Sequence, residues 1–143
     1  MLYTPLAHPP LLEALSRAGH GAKVLIADAN YPFSTAAGAN STSVYLNFRP
    51  GLLTVDQVLS TLRQSIPIEA ALTMRNETDD LAPPHAGYQD VFGDSLLIES
   101  AGRHEFYDLA RGSDLAVLIA SGDQRPCANL LLTVGVRPAE AES

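Results

Sequence analysis

The sequence predicts an α/β fold: a single domain over residues 1–143, with a mainly parallel central sheet flanked by helices. Three observations predict it. Two short apolar runs, Val24-Leu25-Ile26-Ala27 and Leu115-Ala116-Val117-Leu118-Ile119-Ala120, lack polar alternation, the pattern of strands buried on both faces of a parallel sheet. Stretches with helical spacing alternate with these runs. The chain has 143 residues, 46% hydrophobic and 17% charged, with no internal repeat or linker, which suits one compact core.

The elements follow in order. Pro9 and Pro10 open a helix, since the first turn tolerates proline; Leu11, Leu12, Leu15 and Ala18 share a face and Gly19 stops it. The first apolar run ends at Asp28, so 28–32 is the loop at the C-terminal end of a strand. Residues 33–43 are small and polar and form a long loop, and Val44-Tyr45-Leu46 is a short strand. Thr54 and Gln57 make a capping box ahead of Val55, Val58, Leu59, Leu62 and Ile66 on one helical face. Residues 70–74 read as a strand, 75–87 as a surface loop, 88–92 as a helical turn and Leu96-Leu97-Ile98 as a strand. A helix over 103–111 turns Phe106, Leu109 and Ala110 inward and ends at Gly112. After the run at 115–120 and a loop at 122–126, residues 130–134 close the sheet, and the tail frays from Pro138.

Composition removes several function classes. A net charge of −7 disfavours nucleic acid and anionic membranes as partners, because both need clustered Lys and Arg. No apolar run approaches the ~20 residues of a membrane span. The N-terminus lacks a basic region and carries Pro5, Pro9 and Pro10, unlike a signal peptide. Cys127 is the single cysteine, which excludes an intrachain disulfide and fits a reducing cytoplasm.

Nucleotide binding finds no support, since Gly19-His20-Gly21 precedes a strand whereas a dinucleotide fingerprint follows one. No metal site is expected, because His8, His20, His85 and His104 show no ligand spacing. What remains is a set of polar residues at the ends of apolar elements. His20, between two glycines, has an unperturbed pKa near ~6.5 that suits proton transfer, though locally it reads as a surface loop histidine. Asp28 stands where ligands bind in open α/β sheets, and reads equally as a turn-starting residue. Arg103 opens a helix against the macrodipole; a solvated arginine beside Glu99 or Glu105 is the ordinary explanation. Asn129 offers a donor and an acceptor to a hydroxyl, or satisfies its own turn.

Taken together, these positions resemble the ribose pyranase / fucose mutarotase family. The resemblance rests on Leu11-Leu12-Glu13-Ala14-Leu15 through Gly19-His20-Gly21, then Ile26-Ala27-Asp28-Ala29-Asn30-Tyr31-Pro32. It continues with Arg103, Phe106-Tyr107, Ser121-Gly122-Asp123 and Ala128-Asn129-Leu130, while 33–95 match loosely. The Arg103 and Phe106-Tyr107 arrangement is similar to the fucose mutarotase branch. Two positions depart from the family pattern: Cys127 stands where tyrosine is usual, and Ala22 where a polar residue follows the glycine.

The resemblance implies an RbsD/FucU-like fold and a cytoplasmic isomerase acting on a free, fucose-like or ribose-like monosaccharide. His20 and Asp28 would be catalytic, with Asp28, Arg103, Tyr107, Cys127 and Asn129 contacting the sugar. It also implies a homo-oligomer, a decamer of two pentameric rings, with sites completed across subunits. Mutarotation moves only protons, so no cofactor is expected. A non-catalytic sugar-binding or sensing homologue is the alternative, and an aldose–ketose isomerase or epimerase a second.

Overall fold

A computed structural model describes residues 1–140, so residues 141–143 of the tail expected to fray lie outside the described residues. The elements are α1 (Pro9–Arg17), β1 (Lys23–Ala27), β2 (Thr42–Tyr45), α2 (Val55–Arg63), β3 (Ile68–Met74), α3 (Pro84–Phe92), β4 (Glu99–Ala101), α4 (Arg103–Ala110), β5 (Leu115–Ala120) and β6 (Leu130–Val134). The six strands form one sheet in the order β2-β5-β1-β6-β3-β4. The pairs β1/β5, β2/β5 and β3/β4 are parallel, whereas β6 runs antiparallel to both β1 and β3. An α/β class with a mostly parallel sheet is therefore what the chain adopts.

The helices divide between the two faces. Leu11, Ala14 and Leu15 of α1, Val55, Val58, Leu59 and Leu62 of α2, and Tyr88 and Phe92 of α3 pack with Val24, Ile26, Val117 and Ile119. On the opposite face, Phe106 and Ala110 of α4, with Tyr31 and Ala36, cover Leu25, Ala27, Leu118 and Ala120. Alternating residues of β1 and β5 thus feed both cores, which explains their unbroken apolar sequence. The capping box at α2 is formed: Gln57 N–H donates to Thr54 Oγ1 at 3.2 Å, and Thr54 N–H to Gln57 Oε1 at 2.9 Å. At α1, Leu11 N–H donates to His8 Nδ1 at 3.4 Å and the two prolines occupy the first turn.

Three expectations need correction. The strand expected at 96–98 lies instead at Glu99–Ala101, paired with Leu72 to Met74 of β3. Gln89 explains the shift: its side chain donates to Leu96 O at 2.7 Å and accepts from Ile98 N–H at 2.9 Å. Those backbone groups are satisfied by a side chain and leave the ladder, and Leu97 stands 81% exposed. Next, 88–92 is the second half of a full helix begun by Pro84, with Tyr88 and Phe92 one turn apart on its buried side. Finally, β6 does not close the sheet at an edge. It lies centrally, because the 121–129 connection is too short for the crossover a parallel return needs, and the chain re-enters the sheet reversed.

This topology gathers loops at one edge. The C-terminal ends of β1 to β5 and the start of β6 all face the same way. Ser121 ties them together, its Oγ donating to Ala27 O at 2.5 Å, while Ala29 N–H donates to Asp123 O at 2.7 Å.

Candidate functional site

Asp28 follows β1 directly and is 4% exposed. Its backbone N–H donates to Asn129 Oδ1 at 2.7 Å, and its own Oδ1 accepts from Asn30 N–H at 2.9 Å. Burial pushes its carboxyl pKa up, and backbone amides of Asn30, Ala128 and Tyr31 pull partly the other way. The Asp123 charge adds a smaller upward push. No cation pairs with Asp28 among the described residues. Asn129 is 3% exposed, and its Nδ2 finds only Met74 Sδ at 3.8 Å, a weak acceptor. Its amide therefore keeps donor capacity for a hydroxyl.

Tyr31 and Tyr107 form the apolar side of this group, their rings 5.5 Å apart. Tyr31 donates its hydroxyl to Ala36 O at 2.6 Å and is held by it. Arg103, at the start of α4, places its guanidinium 5.6 Å from the Tyr107 centroid, and Arg111 approaches the same ring at 5.7 Å. Cation–π attraction thus supplies the reason for a cation at a helix N-terminus. Cys127 sits between Asp28 and Arg103 electrostatically, with φ at 57°, a left-handed conformation that disfavours a Cβ by roughly 1–2 kcal/mol. Burial, then the Asp28 charge, raises its thiol pKa, so it meets a ligand as a neutral, weakly polar group.

The structure thus brings together Asp28, Arg103, Tyr107, Cys127 and Asn129. It does not bring His20 to them. His20 precedes β1 at the opposite end of the sheet, with roughly 16 Å of strand between it and Asp28. There it is exposed, its Nε2 lying 3.0 Å from Glu69 Oε2 and 3.1 Å from Oε1. It lines a surface depression of about 490 Å³ with Gly19, Pro67 and Val134. Within one chain, His20 and Asp28 cannot reach the same sugar.

Other residues bear on this group without a local sequence signal. From sequence, Tyr31 belongs to a family motif without a role of its own and Glu77 only to a surface loop, although the Glu77 charge acts on both Cys127 and Arg103. Asp123 belongs in the sequence to the Ser121-Gly122-Asp123 motif, with nothing to mark it as a buried charge. It is 2% exposed and accepts from Arg125 Nη2 at 2.6 Å, Arg125 Nε at 3.0 Å and Val55 N–H at 3.0 Å. Burial opposes its ionisation, but these bonds outweigh that and hold its pKa low. Arg125 also pairs with Asp56. Asp123 is paired with a guanidinium, whereas Asp28 is a buried carboxylate met by backbone amides and by no cation among the described residues. Among the described residues no group of three His, Cys, Asp or Glu side chains is placed to hold a metal ion. No described helix is long and apolar enough to cross a membrane.

The chain resembles known proteins in both sequence and fold. Residues 1–137 match the RbsD / FucU transport protein family. The chain belongs to that family. Among its members, the fucose mutarotase of Bos taurus is 28% identical over 141 residues, covering 92% of this chain and 90% of the relative. D-ribose pyranase 2 of Streptomyces griseus is 32% identical over 126 residues, covering 88% and 91%. The RbsD of Bacillus subtilis, solved in complex with D-ribose, superposes with a TM-score of 0.80 at 25% identity, covering 96% of this chain and 99% of that one. An RbsD/FucU-like fold is thereby established, and distant relatives of the chain are sugar isomerases.

Proposed function

We propose that the protein is a monosaccharide mutarotase, interconverting anomeric or ring forms of a free fucose-like or ribose-like sugar without a cofactor. The observation that carries this reading is the buried, cation-free Asp28 beside the partly unsatisfied amide of Asn129. Such a pair suits a ligand made of hydroxyls. Tyr107 and Tyr31 give the ring an apolar face, Arg103 donates to sugar oxygens, and the small Cys127 leaves room where a larger side chain would fill it.

In this mechanism one group takes the proton of the anomeric hydroxyl while another protonates the ring oxygen. The hemiacetal opens to the aldehyde, rotates, and recloses on the other carbonyl face. Asp28 binds a hydroxyl or serves as the base. His20, half a molecule away in its own chain, acts as acid/base on the sugar of a neighbouring subunit, where an imidazole can both accept and donate a proton. The reading therefore includes a homo-oligomer, in our view a decamer of two pentameric rings. The lone cysteine fits a reducing cytoplasm.

The remote position of His20 also favours a second reading, a protein that binds or senses sugar without accelerating exchange. Magnetisation-transfer NMR on free fucose, ribose and related aldoses separates the two. Acceleration by the wild type that falls about 10²-fold or more in His20→Ala supports the mutarotase. Calorimetric binding without acceleration supports the sensor, and equal rates in wild type and His20→Ala remove His20 from the mechanism.

A further inference from the structure

Next to the Asp28 group, the same sheet edge carries a cleft of about 530 Å³ for which the monosaccharide reading has no use. Three adjacent strands build it: Ala29 and Asn30 follow β1, residues 47–50 follow β2, and Gly122 and Gln124 follow β5. In the sheet order, β5 and β2 lie on one side of β1, and β6, β3 and β4 on the other. Asp28, at the end of β1, therefore stands at the junction of the cleft and the Asn129–Arg103 side.

The lining has a definite chemistry. Phe48 is 83% exposed, an unusual position for a bare aromatic ring. Around it stand Asn30, Asn47, Arg49 and Gln124, whose side chains have no hydrogen-bond or ion-pair partner among the described residues. The floor is fixed. Gly51 N–H donates to Gly122 O at 2.7 Å, and Gly122 N–H to Leu53 O at 2.9 Å. The backbone approach is so close that a Cβ on Gly122 would lie 1.9 Å from Leu52 O. A preformed floor reduces the ordering cost of binding.

An aromatic face ringed by amides and one guanidinium matches a pyranose, which offers a C–H face and a rim of hydroxyls that both donate and accept. One arginine is too little for a polyanion in a chain of net charge −7. We propose that this cleft is a second saccharide subsite. The ligand is a reducing disaccharide, with its free anomeric unit at Asp28 and its neighbouring unit stacked on Phe48. This deepens the mutarotase reading and rests on it for the position of the anomeric unit.

Saturation-transfer difference NMR and titration with fucose and ribose, each against reducing disaccharides that end in that same sugar, test the subsite by binding alone. At least one disaccharide is expected to bind about three- to tenfold more tightly than its own reducing unit, with saturation on both rings. Phe48→Ala should cancel that advantage and leave monosaccharide affinity unchanged; Gln124→Ala, on the opposite wall, should reduce it. Disaccharides that bind no better than monosaccharides overturn the proposal. So does a Phe48→Ala chain whose sedimentation reveals a changed subunit count, which would make the ring a subunit contact. Exchange of free fucose or ribose without disaccharide preference refutes the subsite and spares the mutarotase. Phe48-dependent disaccharide binding without any exchange does the reverse.

Discussion

Asp28 and Asp123 are both almost fully buried at the same sheet edge, yet they titrate in opposite directions. The difference is Arg125, which reaches Asp123 and not Asp28. Because the folded-state pKa of Asp28 is raised, the native protein binds that proton more tightly than the unfolded chain does. Its stabilising contribution is present at low pH and is lost as pH rises through the folded pKa. Above the ordinary carboxylate range, burial opposes the charge on Asp28, so the residue weakens the fold there. Asp28→Asn keeps an oxygen for the Asn30 amide and removes the charge. It should melt at a higher temperature than wild type at pH 7, with the gap closing as pH falls toward the ordinary carboxylate range. Anomer exchange should drop by about 10²–10⁴-fold. Thermal scans across pH check this, and identical melting at every pH would reject burial as the cause. Asp28 and Asn129 could be read from the sequence because each borders an apolar run whose ends are visible. What separates Asp28 from Asp123 is less legible: Arg125 stands two residues from Asp123 in the chain, but nothing local says that its guanidinium turns back onto that buried carboxylate and stays away from Asp28, which the fold brings to the same edge.

Gly122 shows how one element fixes the next. The turn at 49–53 lies on it, with Leu52 O and Arg49 O at 1.9 and 2.5 Å from where a Cβ would stand. Both obstacles are backbone, so neither can swing aside as a side-chain tip would. Gly122→Ala should cost about 2 kcal/mol or more by forcing the turn away. Urea unfolding measures the loss, and faster amide exchange at Gly51 would locate it; a variant as stable as wild type would show that the turn yields. Elements of this kind were legible where local chemistry is strong. The capping box at Thr54 and Gln57 and the unbroken run of β5 speak for themselves. The position of β4 and the place of β6 in the sheet are not legible in the sequence, for physical reasons. β4 is short, polar and at an edge, so it has little apolar signal, while the apolar 96–98 segment owes its shape to Gln89. The run at β6 was recognised, but strand order is a long-range property that a run of leucines does not encode.

At the scale of the whole molecule, the polarity of the sheet sets Asp28 and His20 at opposite ends of β1. A chain built this way can join the two only by contacting a copy of itself, one subunit's His20 end against the next one's Asp28 edge. Such a contact uses two different surfaces, so it is head-to-tail and generates a ring when the rotation closes. Sharing of this type has a signature that no single-chain site can imitate. His20→Ala retains Asp28, and Asp28→Asn retains His20, so each variant alone has no complete site. In a 1:1 mixture allowed to exchange subunits, half of the Asp28 edges are intact and half of the neighbouring His20 ends are intact. Random assembly then restores about one quarter of the wild-type sites. Anomer exchange in the mixture should rise to that level from the low rate of either parent, after mild dissociation and reassembly. Parents that remain inactive when mixed, in assemblies shown by native mass spectrometry to have exchanged subunits, would mean that His20 and Asp28 never serve one sugar.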